Sequence, residues 1–150
     1  LDGGTLEVLA STIVSNSANG GCGSCSGGGL YEVGGEIVVR NSIVANNTGT
    51  PGPDLDGAVT LEGANLVSST DGATLSGATG ELLTSSPDLG SFDDHGGSTS
   101  TIMPNTGSPV IDAVPSGECV DFGGSNLTVD QRDEARPSGS TCDLGSVEVQ

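Results

Sequence analysis

The sequence predicts an all-β protein in which short strands stack on one another as a parallel β-helix, or β-solenoid. Three observations support this prediction: an internal repeat, alternating apolar positions, and corners rich in glycine, asparagine and aspartate. The segment 34–47, GGEIVVRNSIVANN, repeats the segment 3–16, GGTLEVLASTIVSN, without a gap. A unit this short cannot bury its apolar face alone, so its copies must stack. We therefore expect equivalent strands to lie above one another.

The repeat also predicts which side chains are neighbours. Each copy reads as two short strands joined by a polar bend. The first two copies align as follows: Leu6 with Ile37, Val8 with Val39, and Ile13 with Val44. A third, weaker copy places Val59, Leu61 and Leu66 at the positions of Ile37, Val39 and Val44. Aliphatic side chains from successive copies should therefore form columns inside the stack.

Length and composition are consistent with one narrow domain. The 150 residues are enough for a single core, and 26 of them are glycine. The chain has two Phe and one Tyr, whereas a broad core usually contains more aromatic rings. We expect coils over residues 1–105, with inserted loops at 18–29, 49–58 and 85–105. Residues 106–150 should form a loop-rich C-terminal cap over the last coil.

The net charge limits the classes of molecule that the protein can bind. Twenty acidic residues and three cations give a net charge of −17, and there is no lysine. This surface repels phosphate backbones and anionic bilayers, so we expect no nucleic-acid partner. No apolar run approaches the ~20 residues of a membrane span, which argues against membrane insertion. The chain opens within a repeat, which suggests a longer precursor and leaves the first copy as an exposed edge.

Four cysteines favour a secreted or cell-surface location, where disulfides persist. Cys22 and Cys25 lie in the glycine-rich loop 18–29. A disulfide that pins this loop is favoured over a zinc site, which needs four ligands, and over a redox motif, which should open a helix. A link to another chain stays as the alternative. Cys119 and Cys142 are expected to form a second disulfide that stabilises the cap.

Aspartates in the predicted loops are candidate calcium ligands. Asp54 and Asp56 stand among prolines and glycines, and Asp93 and Asp94 precede the single histidine, His95. Carboxylates are hard oxygen ligands that suit calcium. The alternative is that they hold turns by accepting backbone N–H bonds. His95 has no accompanying nucleophile motif, so we assign no catalytic residue.

The C-terminal region contains two of the three cations, Arg132 and Arg136. Their guanidinium groups are expected to form structural ion pairs with Asp130 and Asp143, because forked Arg–carboxylate contacts are directional. A substrate-binding arginine is the alternative. The acidic residues around these arginines include Asp112, Asp121, Asp130, Asp143 and Glu148.

Two asparagines, Asn46 and Asn126, begin N-x-Thr patterns that are candidates for glycosylation. In a chain so rich in Asn, Ser and Thr, chance is the alternative explanation.

An ordered series of motifs resembles the bacterial choice-of-anchor Q domain proteins, over about residues 35–150. The motifs are PDLDG at 53–57, GSPVIDA at 107–113, DQR at 130–132, ARP at 135–137 and CDLG at 142–145. The resemblance implies a right-handed parallel β-helix in a secreted or surface-attached protein, without one characterised reaction. Asp133 stands where that family has glycine, and the family's GAFE is replaced by the residues 145–148. The second copy also resembles the repeats of polymorphic outer membrane proteins.

These observations predict a non-enzymatic, extracellular structural or adhesive module that could assemble head to tail into surface fibres. Its partners would be further copies of itself, or other surface proteins or glycans. No cofactor is required, and calcium is the candidate ion. The alternatives are a polysaccharide lyase or hydrolase and a calcium- or glycan-binding module. A lyase needs a basic side chain, and Arg40 is the one cation on a predicted coil. A hydrolase needs two carboxylates at a defined separation.

Overall fold

The chain folds as an all-β protein, as the sequence predicts. The structure is a computed structural model that describes residues 1–18, 26–77 and 79–150, with the backbone alone for residues 79–83. The described residues form ten strands and no helix, so none of them belongs to a helix that could span a membrane. The strands are β1 (Thr5–Leu9), β2 (Thr12–Val14), β3 (Leu30–Tyr31), β4 (Glu36–Arg40), β5 (Ile43–Ala45), β6 (Leu55–Val67), β7 (Ala73–Ser76), β8 (Thr79–Leu83), β9 (Leu89–Asp93) and β10 (Thr101–Pro104).

Eight of these strands form one curled parallel sheet. One ladder runs β1–β4–β6–β7 and a second runs β2–β5–β6–β8, while β3 pairs with the start of β6. The long strand β6 therefore belongs to both ladders and bends between them. Each ladder places equivalent strands of successive copies side by side, which is the stacking that the repeat predicts.

The predicted register is confirmed for the first two copies. Strand β1 pairs with β4 and β2 with β5 so that Leu6 faces Ile37, Val8 faces Val39, and Ile13 faces Val44. The first half of the third copy also agrees, since Ile37 faces Val59 and Val39 faces Leu61. A single alignment without gaps thus places the first two copies side by side.

The second half of the third copy is shifted by one residue from the prediction. Val44 faces Val67, whereas Leu66 faces Ile43. The corner of β6 is one residue longer than the corner of the second copy, and it contains Gly63 at φ 58°. A Cβ at Gly63 would collide with the Asn41 side chain. The sequence alone could not show this shift, because Leu66 and Val67 are both apolar and both fully buried.

Both faces of the second ladder are buried at β5 and at the end of β6. One face points into the curled sheet, where the core contains Val8, Ile37, Val39, Val44, Leu55, Val59, Leu61 and Val67. The opposite face carries Ile43, Ala45 and Leu66, which pack against Val110, Val114, Cys142 and Leu144 of the C-terminal region. Since alternate residues of a strand point to opposite faces, the consecutive buried residues of β5 require a cover on the outside.

The C-terminal region supplies this cover and lies beside the sheet, whereas the sequence analysis expects it over the last coil. Residues 106–150, here called the covering segment, lie along the outer face of the second ladder. The Gly145 amide donates to the Asn41 carbonyl at 3.0 Å. The Ser146 amide donates to Thr12 Oγ1 at 3.1 Å, and Asn41 Nδ2 donates to the Glu118 carbonyl at 2.7 Å. The covering segment therefore contacts the first and second copies from the side.

The predicted loops differ in part from the structure. Within 18–29, residues 19–25 lie outside the described residues. Within 49–58, residues 55–58 belong to β6, and within 85–105 the strands β9 and β10 form an antiparallel pair. These strand residues stand next to Pro, Gly and Asp, which the sequence analysis interprets as loop signals. The covering segment contains isolated bridges and no strand among its described residues, as a loop-rich region should.

The close packing of the covering segment on the sheet can be tested by substitution at Gly145. Its φ is 87°, and a Cβ would lie 2.5 Å from Thr12 Oγ1 and 2.8 Å from Ile43 Cδ1. Gly145→Ala is expected to lose about 1 kcal/mol or more through backbone strain, and roughly 1–3 kcal/mol in addition through overpacking. Gly107→Ala is the control, because Gly107 has φ 85° and no atom within 4 Å. Equal urea midpoints for the two variants would contradict the close packing.

Candidate functional site

The covering segment holds five charged side chains in its interior. They are Asp130, Arg132, Arg136, Asp143 and Glu148, here called the charge cluster. The side chains of the two ion pairs are at most 8% exposed, and Asp143 is 2% exposed as a residue. Buried charges require partners for all their polar atoms, so the contacts of the charge cluster decide what it does.

Arg136 links the charge cluster to the backbone around it. Its Nε donates to Glu148 Oε2 at 2.9 Å. Its Nη2 donates to the carbonyls of Asp143 at 3.2 Å, Gly145 at 2.8 Å and Val147 at 3.3 Å. The guanidinium group thus determines the path of residues 143–147, the stretch that packs on the second ladder.

Glu148 and Asp130 each hold several backbone amides. Glu148 accepts from the amides of Ser138 at 2.9 Å and Asp143 at 3.0 Å. Asp130 accepts from the amides of Arg132 at 2.7 Å and Glu148 at 2.9 Å, and from Arg132 Nη2 at 2.7 Å. The carboxylates therefore connect segments that lack regular ladder hydrogen bonds.

The predicted ion pairs are found for three of the four residues. Asp130 pairs with Arg132, and Arg136 pairs with Glu148. Asp143 is a correction: Arg136 contacts its backbone carbonyl, and its carboxylate accepts from the amides of Asp112 and Val149, both at 2.7 Å. Glu148 is the ion-pair partner of Arg136, the role that the sequence analysis assigned to Asp143. Several acids precede and follow Arg136, so the sequence could not single out this one.

The pKa values of the two buried aspartates are shifted in opposite directions. Burial raises the pKa of Asp143, and the nearby carboxylates of Glu148 and Asp112 add to this effect, while backbone hydrogen bonds oppose it. Burial would also raise the pKa of Asp130. There, hydrogen bonds from the Glu148 amide and from Arg132 outweigh burial, so the pKa lies below its ordinary value. Asp130 is therefore held as a carboxylate.

The lowered pKa of Asp130 makes its contribution to stability depend on pH. An unfolded aspartate has a pKa of about 3.9, so this contribution is complete above about pH 4 and is lost as the pH falls through the pKa of the folded state. The free-energy difference between wild type and Asp130→Asn should be largest near neutral pH and shrink below about pH 4. The raised pKa of Asp143 acts oppositely, since its contribution is lost as the pH rises. Urea unfolding of both proteins measures the difference, and a constant difference would contradict this role of Asp130.

The calcium candidates do not come together among the described residues, which contain no group of three or more His, Cys, Asp or Glu side chains suited to a metal. Asp54 is 1% exposed, and both of its oxygens accept hydrogen bonds. Oδ1 accepts from the amide and the side chain of Asn47, and Oδ2 from Ser68 Oγ at 2.6 Å and the Ser69 amide at 2.8 Å. This carboxylate holds a corner, which is the alternative that the sequence analysis left open.

The other candidates lie nearer the surface. Asp93 and Asp94 are exposed and accept from the amides of Asp94 and Gly96, which is the turn-forming alternative. Asp56 is half-buried. His95 Nδ1 lies 3.2 Å from the Thr101 carbonyl, which ties the turn to β10.

The predicted Cys119–Cys142 disulfide is present in the covering segment. The other predicted pair, Cys22 and Cys25, lies outside the described residues. Both candidate glycosylation residues, Asn46 and Asn126, are exposed. Their glycosylation stays a prediction.

Sequence reasoning missed the polar side chains that connect the copies. Ser11 and Ser42 are one repeat apart, and the Ser11 amide donates to Ser42 Oγ at 3.0 Å. The Ser42 amide then donates to Asn65 Oδ1 at 3.1 Å. Asn16 and Asn47 are linked in the same way, at 2.9 Å. The repeat alignment could have found these ladders, because it already places Ser11 with Ser42 and Asn16 with Asn47.

The structure itself contains a stacked parallel sheet whose outer face is covered by a segment with buried ion pairs. The resemblance to choice-of-anchor Q domain proteins stays a prediction from short motifs. Comparisons with known protein families, with curated proteins and with solved structures found no match to this chain.

Proposed function

We propose that this chain is a non-enzymatic structural and adhesive module of a secreted or surface-attached protein, built as a right-handed parallel β-helix. The main support is the in-register column of Leu6, Ile37, Val59 and Leu75, one residue from each of four layers. Parallel connections within one sheet are right-handed in the great majority of proteins. The Cys119–Cys142 disulfide favours an oxidising location.

The layer formed by β1 and β2 is where a second copy would add. Among the described residues, each of these strands pairs with one other strand, and they lie at the ends of the strand order. Core side chains of this layer, Leu6 and Ile13, are half-buried, whereas Ile37 and Val44 below them are fully buried. An edge with unpaired backbone groups and apolar side chains accepts further strands. Head-to-tail addition does not close, so it produces a fibre.

Glu7 provides the test of this assembly. The Gly4 carbonyl and the Ala10 amide bond to β4 or its flanking residues, so by alternation the backbone groups of Glu7 point to the free edge. Glu7→Pro removes the outward N–H and should leave the pairing with β4 intact. We expect wild type to form higher oligomers as protein and salt concentrations rise, since salt screens the charge of −17. Sedimentation and electron microscopy should show that Glu7→Pro stays monomeric.

The matched control is Glu7→Gln, which removes the same charge and keeps the N–H. It should assemble at least as well as wild type. A wild-type chain that remains monomeric under all these conditions, or a Glu7→Pro variant that assembles normally, would refute assembly through this edge.

A further inference from the structure

We propose that a cleft in the covering segment binds a neutral saccharide. This inference rests on the adhesive part of the proposed function and names its ligand class. The cleft has a volume of about 300 Å³ and opens to solvent. That volume is at the lower end of the range for ligand sites in proteins, which suits a ligand of one sugar ring.

The walls of the cleft offer hydrogen-bonding groups that the protein does not use. Ser116, Asn126, Thr128 and Ser140 line it and are exposed. Among the residues that the structure describes, none of these four side chains makes a hydrogen bond within the protein. Hydroxyl and amide groups both donate and accept, which matches the hydroxyl groups of a sugar.

Arg136 forms the buried part of the cleft. Its Nε and Nη2 are used by Glu148 and by three carbonyls, as described above. Its Nη1 makes no hydrogen bond to the described residues and is not among their fully buried unpaired atoms, so it keeps some contact with solvent, and Arg136 lines both this cleft and a neighbouring pocket. A guanidinium group held in this way offers a donor without losing side-chain freedom on binding.

The charges favour a neutral ligand over an anion. Glu148 already balances Arg136 at 2.9 Å, and the chain carries a net charge of −17 that repels anions. None of the lining residues is acidic, although the chain has 20 acidic residues. A neutral polyol therefore meets donors and acceptors without charge repulsion. Leu127 and Pro137 add apolar surface that suits the C–H face of a sugar ring.

The walls are held in place before any ligand binds. The Leu127 amide donates to the Cys119 carbonyl and the Arg136 amide to the Thr128 carbonyl, both at 3.0 Å. The disulfide joins Cys119 in one wall to Cys142, which packs against the covered sheet. A preorganised cleft loses less free energy on binding than a flexible one.

The test is an NMR titration of the isotope-labelled protein with neutral hexoses and N-acetylhexosamines, and with the corresponding uronic acids. We expect at least one neutral sugar to shift the amides of residues 116–117, 126–128 and 140–141 at about millimolar concentration. Thr128→Val and Ser140→Ala should each weaken this binding by about 3- to 10-fold. Thr74→Val is the matched control, because Thr74 is an exposed hydroxyl on β7 outside the cleft.

Three results would overturn the proposal. They are the absence of shifts with every neutral sugar, tighter binding of a uronic acid than of its neutral parent, and unchanged affinity in both cleft variants. Sedimentation of the same samples reports assembly separately. A chain that assembles without binding sugar refutes the cleft alone, and one that binds sugar without assembling refutes the fibre alone.

Discussion

Replacing Arg136 by methionine is expected to lower the free energy of unfolding by about 3–5 kcal/mol, because it leaves a buried charge without its partner. Glu148 would lose its cation at 2.9 Å while staying buried. The carbonyls of Asp143, Gly145 and Val147 would lose a donor at the same time. Urea unfolding followed by circular dichroism measures the loss.

Two further variants test whether the loss of stability comes from breaking a buried ion pair or from removing any ion pair. Glu62→Gln removes the Arg40–Glu62 bridge, whose side chains are 18% and 39% exposed, and should cost less than about 1 kcal/mol. Arg136→Met combined with Glu148→Met removes both buried charges and should recover part of the stability lost in Arg136→Met alone. Equal losses for Arg136→Met and Glu62→Gln would show that burial is not decisive here.

Replacing Asp54 by alanine is expected to destabilise the protein by about 3 kcal/mol or more, because several buried donors lose their acceptor. The amides of Asn47 and Ser69 and the hydroxyl of Ser68 all donate to this carboxylate. These donors connect the second copy to the end of β6, so the variant should unfold at a lower urea concentration without calcium.

Asp56→Ala is the matched control, because Asp56 is a neighbouring calcium candidate that is half-buried and whose carboxylate makes no hydrogen bond to the described residues. It should change the stability by about 0.5 kcal/mol or less. Both measurements are repeated with millimolar calcium and with a chelator. If calcium stabilises wild type and both variants lose that gain, the two aspartates are ligands and Asp54 is not solely a corner residue.

The repeat was sufficient to predict the register of the first ladder. Leu6, Ile37 and Val59 hold the same position in the three copies although the copies are 31 and then 22 residues apart, and burial of one strand face pairs them in register. The same alignment failed at Leu66 because the corner of β6 contains one additional residue. Leu66 and Val67 are both apolar, so the hydrophobic pattern could not show which of them faces Val44.

The sequence predicted which cations belong to the charge cluster, and it predicted some of their ion-pair partners. Arg132 and Arg136 were expected to form fixed ion pairs because cations are so rare in the chain, and the structure has those pairs. The partner of Arg136 could not be predicted, since Asp143 and Glu148 are both acidic and both close in sequence. Only the fold brings the Glu148 carboxylate to Arg136 Nε. The Asp143 carboxylate instead accepts hydrogen bonds from the amides of Asp112 and Val149.

The sequence by itself determined that this chain is all-β and that its copies stack in parallel, because a short unit with apolar side chains at every second position can bury them only against its own copies. The tertiary structure decided where residues 106–150 lie and what their charges do. The reason is physical: Ile43, Ala45 and Leu66 form an outward apolar face only after the strands have paired. A segment without regular strands can cover that face only if buried carboxylates and Arg136 satisfy its backbone groups.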